Sequence, residues 1–581
     1  MHKSVPFLVT CLIGLSLSGC ASLTGQKNIP ATEESTLQTN KTASKEDIHY
    51  ADFEPDVLYL LLSAEIAAQR GRFDVTLVNY LKAANKSRDK GIIERAMRIA
   101  QSLNGDNAQK QLADLWLEVD PDNIQAHRIA AIQAVKHNDL ESALGHMEKI
   151  MNLGEDADFD SLAAMAGNLR PEQQAELLDL YIQLAERHPN VPELEYDIAL
   201  LLKVSGKPEQ ALNRLSPLLE KNPNFQPAIV LKGDLLYQLN DKRKALDYLM
   251  TNTRRFPANR QMGTLYGRML INEGELQAAQ DEFNRLVILY PDTPGLRLSY
   301  ALVALENGQA ELAKSELTLL VEQGRHTDEA NYYLGRIEDL AGNSEQAIAF
   351  YQEVKQGSYY LPALARSSAL LATNGKLDEA LENIRTLRDI HPEQAENFWL
   401  LEVNLLLDQE QKPQALDAAT SALQQFPGNV QIRYARAMLL DSMGDSAKSE
   451  EDLKYIIEEA PDNAVALNAL GYILATRTDR LSEARGYIER ALELDPDNPA
   501  ILDSMGWVLF REGRLKPALE YLSRAWSGYP DPEVAAHFGE ALWMNSDEEQ
   551  ALIIWKKGME QDANHEVLLE TIKRLTNKED L

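Results

Sequence analysis

A repeat 34 residues long constrains this chain more than any other feature. Ala199, Ala211 and Pro223 stand twelve apart, and Gly233, Ala245 and Pro257 repeat that triplet 34 positions later. The alanine returns at Ala279, Ala313 and Ala347, so four successive intervals are equal. A fixed period of this length is the mark of a solenoid of helix pairs, each unable to bury its apolar face alone.

Residues 193–223 show what one unit must be. Leu194, Ile198, Leu201 and Leu202 recur at helical spacing, so a first helix buries one stripe. Gly206-Lys207-Pro208 stops that helix and opens a second, where proline is tolerated in the first turn. Ala211, Leu215, Leu218 and Leu219 form the second stripe. Small side chains at Ala199 and Ala211 let the two helices cross closely. Pro223, with no N–H to donate, ends the unit.

This spacing resembles the tetratricopeptide repeat family. Trp399 stands where that family often carries tryptophan, Ala491 and Ala525 fill its second alanine position, and Pro291, Pro392, Pro427, Pro496 and Pro530 continue the proline. The alanine position continues through Ala380, Ala415, Ala447, Ala484, Ala518 and Ala551. The resemblance implies an all-α fold, a right-handed superhelical solenoid of about 11–15 antiparallel helix pairs.

The start of the chain reads differently. His2-Lys3 is a short basic opening, and Val5–Leu17 is an apolar run too short to span a bilayer comfortably. Leu17-Ser18-Gly19-Cys20 resembles a bacterial lipobox, which implies cleavage after residue 19 and acylation of Cys20. At roughly 0.8 kcal/mol per buried methylene, several acyl chains hold a protein on a membrane where one would not. Ala21-Ser22 follow with no aspartate, which for lipoproteins implies the outer membrane of a Gram-negative bacterium, facing the periplasm. Cys11 and Cys20 are the only cysteines, so a processed chain has no thiol for a disulfide, a metal or a nucleophile. Residues 20–54 are polar and read as a tether, whose root-mean-square reach is on the order of 30 Å.

Residues 55–190 are expected to hold worn repeats and 191–563 a regular array, closed by a helix over 564–576 with Asn564 as its cap. Counting alanine positions back to Thr76 gives about fifteen pairs. Leu58, Leu61, Leu62 and Ile66 make the first helix unusually apolar. They either pack on the repeat behind or stay exposed for a partner, and packing is the preferred reading. Between Gly154 and Pro171 the register is poor, which marks a kink or a longer loop.

No catalytic constellation is visible, so no enzyme activity and no cofactor are expected. The ten histidines are scattered, and His137 and His146, nine apart, fall on different helices. The Asp-Pro-Asp-Asn runs at 120 and 495 lack the glycine and distal glutamate of a calcium loop. A formal charge of −31 argues against nucleic acid, which needs a basic footprint. What remains is a surface. In the repeat family the first helix of each unit lines the concave face, which implies protein-binding positions at Asp234, Arg268, Arg336, Asn404, Arg436, Tyr472, Trp507 and Glu540. Phe510 and Trp543 lie one turn further on. The layout of lipobox, tether and long array is similar to the large lipoproteins of this family that partner a periplasmic carboxyl-terminal processing protease and present cell-wall hydrolases. A scaffold for exopolysaccharide export or outer-membrane assembly shares nearly the same features.

Overall fold

A computed structural model describes residues 54–577. The signal-like segment 1–19, Cys20 and nearly all of the tether lie outside the described residues. The described chain is all-α: thirty-one helices, joined by tight turns and two short 3-10 segments, and no strand among the described residues. Fourteen pairs of consecutive helices pack on one another, α7 and α8 both pack on α9 rather than on each other, and one last helix follows, α31 (Glu566–Thr576). Asn564 does not cap α31. His565 holds that position, because the chain turns one residue later than the asparagine pattern implied.

The chain divides into two compact units between Asp158 and Phe159. The division falls within the stretch of poor register. There the seven-residue helix α7 (Phe159–Met165) runs into a 3-10 turn before α8 (Pro171–Arg187). The first unit holds α1 (Pro55–Gln69), α2 (Phe73–Ser87), α3 (Lys90–Ser102), α4 (Asp106–Val119), α5 (Ile124–Lys136) and α6 (Leu140–Asn152).

Within a pair, the packing explains the motif. In α9 (Pro192–Val204) and α10 (Pro208–Lys221), Ala199, Ala211 and Leu215 are fully buried. Gly206 takes φ +71° between the two helices and Pro208 opens the second. The residue four after the alanine lies over the small position of the first helix. A Cβ on Gly335 would come within 2.7 Å of the Tyr351 ring, and one on Gly539 within 2.1 Å of Trp555 Nε1. Both distances are far below van der Waals contact. The glycine or alanine is therefore a hole for a large side chain sixteen residues on.

Two repeats invert that arrangement. Met97 fills the first-helix position opposite Ala113, and Val403 fills it opposite Ala419; all four are buried, each pair within one core cluster. The volume has moved across the interface while the sum is kept, which close packing tolerates best. One register needs correction. Ala447 is exposed, and the alanine position belongs to Ser449, fully buried twelve residues after the buried Ala437. A small hydroxyl fits where alanine would, so the sequence motif slipped by two residues there.

Candidate partner-binding surface

The second unit has two kinds of packing. From α8 onward each helix packs on its neighbours in sequence, as stacked pairs must. In addition, first helices pack on first helices. α9, α11 (Gln226–Gln238) and α13 (Arg260–Asn272) meet in this way. So do α19 (Tyr360–Thr373), α21 (Ala395–Asp408) and α23 (Val430–Ser442), and again α25 (Ala464–Arg477), α27 (Pro499–Arg511), α29 (Pro532–Met544) and α31. First helices that touch across repeats form the closer-spaced wall of the stack.

All ten expected binding residues lie on first helices of this unit, but their surroundings differ. Tyr472, Trp507 and Phe510 come together around His537. The Tyr472 hydroxyl donates to Glu533 Oε1 at 2.5 Å, reaching across a whole repeat from α25 to α29. The Trp507 ring stacks on His537 at 4.1 Å and on Phe510 at 5.3 Å, with 22° between planes in both cases. His537 Nδ1–H donates to Asp503 Oδ2 at 2.8 Å. Burial pushes the His537 imidazole down, but Asp503, with Glu533 and Glu540, more than offsets this and the net displacement is upward. Glu540 is buried and accepts from Arg574 of α31 at 2.6 Å. Trp543 stacks on Trp555 of the second helix at 5.6 Å. These groups bind the wall together before they bind anything else.

The others stand apart. Asp234 is ion-paired with Lys203 of the preceding repeat. The Arg336 guanidinium lies 5.6 Å over the Tyr333 ring. Arg268 and Asn404 are exposed. Arg436 belongs to the repeat whose register slipped. It sits just before the small residue Ala437 and donates to Asp452 at 2.7 Å, alongside Arg433 at 2.8 Å. It is thus part of a buried ion cluster. Glu402 is held in the same manner by Arg385 and Arg388, and Arg388 also lies 3.4 Å over Trp399.

Sequence spacing singled out His137 and His146 only to separate them, and it did not bring His127 in. His137 ends α5, whereas His127 and His146 meet, Nδ1 to Nδ1, at 2.9 Å. His127 Nε2 lies 2.9 Å from the Pro121 carbonyl, which can only accept. Nε2 therefore carries the proton, and the bare His127 Nδ1 accepts from His146 Nδ1–H. Burial first, then His127, holds the His146 imidazole below its ordinary value, against an upward pull from Asp114 and Asp139. The pairing was legible in one respect: Ala131 faces Ala143 about the turn, and four residues back and three on give these two. The same nineteen-residue spacing joins Glu195 to Arg214, Arg297 to Glu316 and Arg433 to Asp452.

Among the described residues no group of three His, Cys, Asp or Glu is placed to hold a metal ion. No described helix is long and apolar enough to cross a membrane.

A tetratricopeptide repeat model matches residues 230–294, 298–360 and 434–499. A TPR repeat-containing protein of Pseudomonas aeruginosa is 38% identical over 581 residues, covering 100% of this chain and 97% of that protein. The chain belongs to the tetratricopeptide repeat family. This repeat protein is also 23% identical over 521 residues to cellulose synthase operon protein C of Pseudomonas fluorescens, spanning 74% of the chain but 40% of that longer protein. Among solved structures, a tetratricopeptide repeat protein from Parabacteroides merdae is 15% identical, with a TM-score of 0.34 over 49% of this chain and 100% of that one. The Cut9-Hcn1 hetero-tetramer of the APC/C is 14% identical, with a TM-score of 0.33 over 90% and 97%. Repeats of this family mediate protein–protein interaction, and the chain is accordingly a protein-interaction scaffold.

Proposed function

We propose that this scaffold is an outer-membrane lipoprotein, acylated at Cys20, that binds a periplasmic carboxyl-terminal processing protease and presents cell-wall hydrolases to it. The observation that carries the reading is the wall of mutually packed first helices in the second unit, a rigid surface that offers side chains from many repeats at once. The lipobox-like Leu17–Cys20 and the polar residues 20–54 supply the anchor and the reach. Holding both partners near one membrane raises their effective concentration without any catalytic group on the scaffold. Mixing purified protease and hydrolase with and without the acylated scaffold tests this. Faster cleavage in its presence is the expected result, and an unchanged rate rejects the adaptor role.

A second reading is a scaffold for exopolysaccharide export, favoured by the similarity to cellulose synthase operon protein C. Affinity capture from envelope extract separates the two, since a synthase or outer-membrane barrel would be recovered in place of a protease.

A further inference from the structure

The packing reading of the first helix holds for Leu61, half-buried against the core of the first unit, but not for Leu58, Leu62 and Ile66. Val57, Ala64 and Ala67 bury α1 against its neighbours, while Leu58, Tyr59, Leu62 and Ile66 remain 50%, 71%, 56% and 51% exposed. The stack explains why. In the first unit α3 packs on α2 and α5 on α4, so each later first helix has a second helix covering its outer side. Among the described residues none precedes α1. The stripe left open runs at four-residue intervals through Glu54, Leu58, Leu62, Ile66 and Arg70, and all five are exposed. Each four-residue step turns about 40° around the helix, so Leu58, Leu62 and Ile66 share one face and Glu54 and Arg70 flank it on opposite sides along the same slanted ridge.

We propose that this stripe docks a second copy of the chain through an antiparallel α1–α1 pair. The stripe is self-complementary about Leu62, as a two-fold interface requires. With Leu62 on the axis and the two helices crossing at about 50°, so that these slanted ridges align, Leu58 of each copy faces Ile66 of the other, and Glu54 faces Arg70. Three apolar residues meet three, and the acidic end of each helix meets the basic end of the other. A parallel pairing would oppose Glu54 to Glu54 and Arg70 to Arg70. Within the chain Glu54 has Lys86 at 3.3 Å, but Lys86 is also paired with Asp56, so turning Glu54 toward a partner leaves no cation alone. One helix pair buries less than an obligate interface, so the association is concentration-dependent.

Sedimentation equilibrium of the full chain in density-matched detergent, over a concentration series, tests this. The wild type is expected to pass from monomer to dimer. Leu62→Asp, at an exposed position that leaves the melting curve in place, should weaken association by at least about tenfold, the least that a central anchor contributes. Glu54→Arg alone and Arg70→Glu alone should each be monomeric, and mixing them should restore a dimer, because every end-to-end contact is then opposite in charge. A wild type that stays monomeric throughout overturns the proposal, as when residues 1–53 or an unrelated helix cover α1. A dimer that survives Leu62→Asp, or a mixture of the two charge variants that stays monomeric, overturns it as well.

Discussion

The two units place different chemistry at one and the same repeat position. In the first unit the nineteen-residue cross-helix contact is His127 to His146, a hydrogen bond between neutral rings. In the second it is an ion pair, most deeply Arg433 to Asp452, where Arg436 also joins and the Arg433 guanidinium lies 3.7 Å over Tyr455. The units also differ in which helices meet across repeats: second helices in the first unit, α2 on α4, and first helices in the second. The repeat thus prescribes shape, volume and a partner, but not the polarity of the contact. A neutral pair and a buried ion pair satisfy the same geometry and answer differently to pH and to truncation.

The largest effects should come from the packing hole, filled from the second helix at Trp555 and from the first helix at Met97. Trp555 is fully buried over Gly539, and Trp555→Ala should cost about 3–5 kcal/mol. Met97→Ala, which empties the inverted pair of the first unit, should cost about 2–5 kcal/mol, read by urea unfolding followed with probes in each unit. Equal costs would show that the side supplying the volume is immaterial.

Next comes the ion cluster. Asp452→Ala removes the carboxylate that Arg433 and Arg436 share, but both guanidinium groups are only partly buried and Arg433 keeps the Pro427 carbonyl, so a loss of about 1.5–3 kcal/mol is expected. Gly539→Ala follows, at about 1–3 kcal/mol for overpacking against Trp555, whereas Gly206→Ala meets no atom and is strained only by its positive φ.

The smallest effects are the pH responses, and they should have opposite signs. His146 has a lowered pKa in the folded state, so its neutral form is favoured there. Its contribution is present above the ordinary imidazole value of about 6.5 and is lost as pH falls through the folded value. His537 has a raised pKa, so its contribution is present below about 6.5 and is lost as pH rises through the folded value. Hydrogen exchange should therefore show α5 and α6 loosening on acidification while α27 and α29 loosen on the alkaline side. Installing His127→Arg with His146→Asp should give the first unit the contact of the second and abolish its acid response. Loosening of both regions in the same direction would break the comparison.

Much of this was readable in residue spacing. The Ala199–Ala211–Pro223 triplet, the tight turn at Gly206 and the caps Asn123, Asn463 and Asn498, whose side chains accept from Ala126, Ala466 and Ala500, are local events. About fifteen repeats could be counted because the alanine position survives even as Thr76, whose buried hydroxyl donates to Ala64 O and Arg72 O. Arg436 misled because its repeat places Ser449 where alanine was sought. The partner of Glu540 was not legible, because the Arg574 that pairs with it comes from α31, 34 residues on.

By itself the sequence determined the period, the helix ends and which faces must be apolar, since each follows from one residue's conformational preference or from spacing along one helix. The tertiary structure decided how each polar side chain is used. Whether Asp503 meets His537, Tyr472 reaches Glu533 or Leu62 stays exposed among the described residues depends on which helix lies alongside and how far away. That is set by the summed volumes of two interdigitated layers, a quantity that no single position carries.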